Sequence, residues 1–143
     1  MLALFDLDNT LIDRRGGLKD WARGFVRSRR LSQGAVSTIC DRLRERAYPA
    51  DFVDLRVLLG LSDTPGDLWH EYVDGIARSV RCAPEVRKGL EELRVAGWTL
   101  GVATNGAGDV QRAQTCRDRA HVALRRRLCV GGNRRPETGV RAL

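Results

Sequence analysis

The stretch Phe5-Asp6-Leu7-Asp8-Asn9-Thr10-Leu11-Ile12-Asp13 closes an apolar run that begins at Leu2, so a short strand delivers two carboxylates spaced i, i+2 and then a hydroxyl. Side chains alternate along a strand, so Asp6 and Asp8 share a face. At a strand's C-terminal end, two acids placed this way can converge on one cation and one phosphoryl group. An aspartate can attack phosphorus to form an aspartyl-phosphate, while a neighbouring acid handles the leaving group's proton and Mg2+ screens the charge. Carboxylates two apart are common in turns and on solvated edges, so the weight falls on context: the strand in front, Thr10 behind, and a second strand-to-turn motif downstream.

That second motif is Trp98-Thr99-Leu100-Gly101-Val102-Ala103-Thr104-Asn105-Gly106, an apolar strand ending in a hydroxyl, an amide and a glycine. The Thr104 hydroxyl and the backbone N–H groups of Asn105 and Gly106 can cradle a phosphoryl group, glycine permitting close backbone approach. Upstream, Ala83-Pro84-Glu85 opens a helix with proline in its first turn; Val86, Leu90 and Leu93 mark its buried stripe and Gly97 ends it. With both motifs present, the chain resembles the haloacid dehalogenase (HAD)-like hydrolase superfamily over residues 1 to about 112. Asp6, Asp8 and Thr10 complete its first signature, D-x-D-x-T, and Thr104 matches its second.

Between the motifs the pattern is helical. After Gly16-Gly17, which reads as a hinge, Leu18, Trp21, Ala22, Phe25 and Val26 follow helical spacing, and so do Val36, Ile39, Cys40 and Leu43. A third helix is expected from about Asp51. Thr64-Pro65 starts a fourth as N-cap and first helical residue, with Leu68, Trp69, Tyr72, Val73 and Ile76 on one side. A helical insert straight after the first motif resembles the family's C1 cap, which closes over the active site and excludes water. The expected organisation is therefore α/β: a Rossmann-like parallel sheet from residues 1–13 and 81–143, with residues 14–80 as the inserted cap. Most of the Trp, Phe and Tyr residues on these stripes read as cap core.

The four cysteines, Cys40, Cys82, Cys116 and Cys129, form no C-x-x-C pair, and no signal peptide precedes the first strand, which points to a reducing cytoplasm. No apolar run approaches the roughly twenty residues of a membrane span. His70 and His121 lack metal-ligand partners at useful spacing and read as surface or packing residues.

The tail departs from the family. Residues 107–143 hold 9 Lys+Arg against 3 Asp+Glu, or +6, whereas residues 1–106 hold 16 against 15, or +1. The resemblance calls next for a lysine that neutralises the phosphoryl group and then for an acidic pair completing the Mg2+ site. Only Lys19 and Lys88 exist, both before Thr104. Arg135-Pro136 is the nearest candidate, but arginine is not an equivalent point charge. Asp109, Asp118 and Glu137 stand apart, and the sheet is expected to be incomplete at the C-terminus. Read one base forward, codons for Leu124 to Thr138 permit a string ending in V-R-K-P that resembles the family's third strand and lysine motif. Glu137 followed by Thr138 can yield only Lys or Arg in that frame, as can Gln114 followed by Thr115. The expectation is a frame slip near Ala113, leaving 114–143 outside the family's sequence. The rival reading has Arg112, Arg117, Arg119, Arg125, Arg126 and Arg127 contacting nucleic acid phosphates. It is disfavoured, because no recognised module accompanies them and no stacking aromatic follows Trp98.

Within the superfamily, dehalogenases replace the second aspartate, since halide needs no protonation. Asp8 therefore implies a phosphatase acting on a small phosphorylated substrate. By resemblance Asp6 is nucleophile and Mg2+ ligand, and Asp8 is general acid and base with its backbone carbonyl on the metal. Thr104, Asn105 and Gly106 bind phosphate, and Thr10 orders the loop. The alternative is a catalytically inactive remnant or binding protein.

Overall fold

The computed structural model describes residues 1–103 and the backbone of 126–128. The chain runs β1 (Leu2–Phe5), α1 (Arg14–Ser28), α2 (Gly34–Arg42), α3 (Asp51–Leu58), α4 (Pro65–Ser79), α5 (Pro84–Val95), β2 (Thr99–Ala103) and β3 (Arg126–Leu128). The strands form a parallel sheet in the order β1-β2-β3. Leu2 pairs with Thr99 and Phe5 with Val102, so the chain leaves β1 and β2 at the same end of the sheet. Parallel neighbours need a crossover, and between β1 and β2 helices α1 to α5 supply it. The α/β class expected from the sequence is observed.

The helices start where local chemistry allows. The Thr64 hydroxyl accepts the Asp67 N–H at 3.1 Å and donates to the Asp67 carboxylate at 2.7 Å, with Pro65 following as the first helical residue of α4. Pro84 opens α5, and Gly97, at φ +85°, turns the chain from α5 into β2. Of the expected stripe on α5, Leu90 is buried, while Val86 and Leu93 pack half-buried against the core.

Gly16-Gly17 is not a hinge. Both glycines lie in the first turn of α1, where Asp13 caps the helix by accepting the Gly16 N–H at 2.8 Å. A Cβ on Gly17 would come within 2.8 Å of Val80 Cγ1 and 2.9 Å of its Cα. The pair is small because the incoming and outgoing chains pass there: the Asp13 N–H donates to the Arg81 carbonyl at 2.9 Å, fastening the two connections between helices and sheet side by side.

Helices α1 to α4 pack on an aromatic centre. Tyr72 meets Trp21 edge-on with centroids 5.0 Å apart, and Phe52 and Trp69 lie 5.3 and 5.7 Å from it. Ile39, Leu43, Leu68 and Ile76 fill the space around them. Each fully buried aliphatic or aromatic side chain contributes about 1.5–3 kcal/mol by leaving water, so this cluster dominates the helical layer. Arg29 ties its outer edge, forking onto Glu71 at 2.7 and 3.0 Å and reaching Asp63 at 2.9 Å while lying over the Phe25 ring. Among the described residues no helix is long and apolar enough to cross a membrane.

Candidate active site

Asp6 is the first residue past β1 and is exposed; Leu7, buried, anchors the turn that follows. The Leu7 carbonyl accepts from the N–H groups of Leu11 at 3.0 Å and Ile12 at 3.1 Å, and the Asn9 N–H donates to Ile12 at 2.7 Å. This tight turn forces Asn9 into the left-handed region at φ 58°, which asparagine tolerates better than most residues. The Asn9 side chain in turn accepts the Arg15 N–H at 3.0 Å. Asn9 and Asp13 thus satisfy two of the orphan donors at the start of α1, and the acid-bearing turn is locked onto the helix.

Asp8 lies half-buried inside the turn, and its Oδ1 is buried without a hydrogen-bond partner among the described residues. Burial pushes its carboxyl above the ordinary value, and the nearby Asp6 adds to this, against the pull of Arg14 and Arg46. Arg14 is the buried charge of the region, 4% exposed. Its guanidinium donates to the carbonyls of Arg44 at 2.7 Å and Leu43 at 2.9 Å and to the Tyr72 hydroxyl at 3.4 Å. Lys, Arg and Asp seldom go inside unless paired in this way. One side chain therefore connects the start of α1, the end of α2 and the middle of α4, and sends its field to Asp8.

The structure brings together Asp6 and Asp8. Thr104, Asn105 and Gly106 follow β2 in sequence and lie outside the described residues, as do Arg135, His121, Cys116, Cys129 and the arginines of the tail apart from the β3 backbone. No group of three or more His, Cys, Asp or Glu side chains that could hold a metal occurs among the described residues. Mg2+ asks less than that: it keeps several waters and takes one or two carboxylates plus substrate phosphate oxygens. The exposed Asp6 carboxylate fits that donor set as one such ligand, with the Asp8 backbone in the same turn and its side chain left for proton transfer.

Asn9, Arg14 and Arg46 were not singled out from the sequence. Arg14 left a trace, since it sits on the apolar stripe of α1 at the spacing of Leu18, Trp21 and Phe25, where a charge implies buried partners. Asn9 had the weaker signal of a left-handed-tolerant residue before a helix start. For Arg46, between α2 and α3, no local pattern marks its approach to Asp8.

No family model matches the chain, and no curated protein does. Solved structures resemble it. A dehalogenase is 15% identical with a TM-score of 0.50, covering 87% of this chain and 60% of its own. A predicted phosphoglycolate phosphatase from Haemophilus somnus 129pt is 21% identical with a TM-score of 0.49, covering 96% of this chain and 64% of its own. The likeness is one of fold. It lies in the α/β arrangement of a small parallel sheet with helices, and this chain spans less than two thirds of the length of either structure.

Proposed function

We propose that the chain carries the catalytic half of a Mg2+-dependent phosphatase, acting on a small phosphorylated metabolite through an aspartyl-phosphate on Asp6. The observation that carries this reading is the contrast between two acids two residues apart: Asp6 is exposed at the strand end, while Asp8 holds a buried, unpartnered oxygen and a raised carboxyl pKa. Neighbouring carboxyls whose environments differ take different roles. The exposed Asp6 carboxylate attacks phosphorus. Asp8, inclined by burial to keep its proton, gives it to the leaving oxygen, and the resulting carboxylate then draws a proton from the water that hydrolyses the aspartyl-phosphate. Bound Mg2+ supplies charge screening between the carboxylates and the phosphoryl oxygens. Thr104, Asn105 and Gly106 hold the phosphoryl group in this proposal, and helices α1 to α4 act as the cap that excludes water.

A second reading, an inactive or impaired member of the fold, is favoured by one observation. Among the described residues the cations that act on Asp8 are Arg14 and Arg46, whereas Lys88 pairs with Glu92 on the exposed side of α5. The decisive experiment measures hydrolysis of a generic aryl phosphate with and without magnesium, and looks for a hydroxylamine-labile phosphoprotein. The phosphatase reading expects metal-dependent turnover that falls about a thousandfold or more in Asp6→Asn. Wild-type turnover that matches Asp6→Asn hands the case to the second reading.

A further inference from the structure

An aspartate that attacks a phosphoryl group brings one anion against another, so the cations beside the acid pair decide how steep that approach is. The chain has two lysines, Lys19 and Lys88. Lys88 pairs with Glu92 on α5 and Lys19 lines a groove between α1 and α2, and neither is among the charges that act on Asp8. Of the two arginines that are, Arg14 is buried with its donors on the Leu43 and Arg44 carbonyls and the Tyr72 hydroxyl, so it cannot reach a ligand. Arg46 differs. It is exposed, and the influence is mutual, since Asp8 is among the charges that act on its guanidinium.

The loop that carries Arg46, between α2 and α3, is clamped on both sides of it. Before it, the Arg44 carbonyl accepts the Arg14 guanidinium at 2.7 Å; after it, Ala47 is buried and the Tyr48 N–H donates to the Asp51 carboxylate at 2.8 Å. The Tyr48 side chain hydrogen-bonds the Arg46 guanidinium, a neutral partner that leaves the charge unspent. An arm steadied in this way loses little freedom when a ligand arrives. Resting on the phosphatase reading, we propose that Arg46 is a catalytic residue, its guanidinium fork gripping two non-bridging oxygens of the phosphoryl group in transfer while Tyr48 aims it. In the step itself an Asp6 oxygen bonds to phosphorus, the bond to the leaving oxygen breaks, that oxygen takes the Asp8 proton, and Arg46 keeps all of its own protons. The helical segment thus supplies the site with a charge that neither β1 nor β2 carries.

The test uses the 143-residue chain with magnesium and pairs two readouts. Turnover of an aryl phosphate is expected to fall about a hundredfold in Arg46→Ala, to return in part when guanidinium chloride is added at low concentration, and to fall less in Arg46→Lys. Orthovanadate, a mimic of the phosphoryl group in transfer, reads the grip without turnover: by calorimetry it should bind Arg46→Ala roughly tenfold more weakly than the parent, or worse, and Lys19→Met as tightly as the parent. An Arg46→Ala variant with parental turnover and parental vanadate affinity overturns the role of Arg46 and leaves the phosphatase reading standing, provided that Asp6→Asn is inactive. A rate loss that neither guanidinium nor lysine relieves makes Arg46 a structural residue and overturns its role as well. Parental turnover no better than that of Asp6→Asn, with vanadate still bound through Arg46, sinks the phosphatase reading and leaves Arg46 holding phosphate. Vanadate that binds neither parent nor variant overturns both.

Discussion

Asp8 shows how far a single carboxyl can be read from sequence. Its presence beside Asp6 was legible, because the i, i+2 spacing after an apolar run is a linear pattern. Its environment was not, since the burial that raises it, and the Arg14 and Arg46 charges that oppose it, are set by how the chain packs. A carboxyl raised by folding binds its proton more tightly in the native state. Its contribution to stability is thus fully present below the unfolded value and lost as pH rises through the folded one. Asp8→Asn removes that titration. At neutral pH the variant is expected to melt higher than the parent, by on the order of 1 kcal/mol, with the gap closing as the solution is acidified. A gap that does not change with pH would contradict the assigned burial. Arg14→Leu probes the same region from the other side. It leaves the Leu43 and Arg44 carbonyls and the Tyr72 hydroxyl without their donor, and the expected cost is about 3 kcal/mol in urea unfolding. A loss within 0.5 kcal/mol, the ordinary range for surface changes, would mean that Arg14 is not holding α1 to α2 and α4.

At the scale of elements, periodicity and caps carried most of the information. Thr64-Pro65 and Pro84 start helices as expected because capping chemistry is local, and Trp21, Phe25, Phe52, Trp69 and Tyr72 are core because their spacing places them on one face. Gly16-Gly17 misled for the opposite reason. A glycine pair signals freedom in an isolated peptide, but here it signals crowding: of Gly16 by the capping Asp13 side chain, and of Gly17 by Val80, a residue more than sixty positions away. The same distinction separates two other helical glycines. A Cβ on Gly75 of α4 would fall inside the Trp21 indole, so Gly75→Ala is expected to destabilise by roughly 1–3 kcal/mol through overpacking. Gly24 of α1 faces open space, and Gly24→Ala should stabilise by about 0.5–1 kcal/mol from helix propensity alone. Thermal melts of the two variants should therefore move in opposite directions; a shared direction would mean that α1 and α4 do not approach as described.

Across the whole molecule, the helical layer and the sheet are unequally built. The helices enclose a continuous aromatic and aliphatic centre, whereas β1 leaves Leu2 and Leu4 about half exposed, at 54% and 51%. Parallel strands are ordinarily buried on both faces, and these are short. Local opening is easiest where side chains stay in water, so amide exchange is expected to be slowest in α1 and α4 and markedly faster in β1. Uniform protection across helices and strands would show a single cooperative unit instead. The sheet's parallel order could be anticipated from the strand–helix–strand sequence, while the uneven burial depends on which neighbours each strand meets, and one chain's pattern does not encode that locally.

The hydrogen bond from Asp13 to Arg81 gives the molecule a property of a different kind. Because the polypeptide enters and leaves the helical layer at one doorway, residues 14–80 form a cassette whose two ends are neighbours in space. In genetic terms such a segment is exchangeable: a tight turn, or an unrelated domain with adjoining termini, can replace it without displacing either strand. Selection can thus rewrite the helical segment while leaving the paired aspartates where they are.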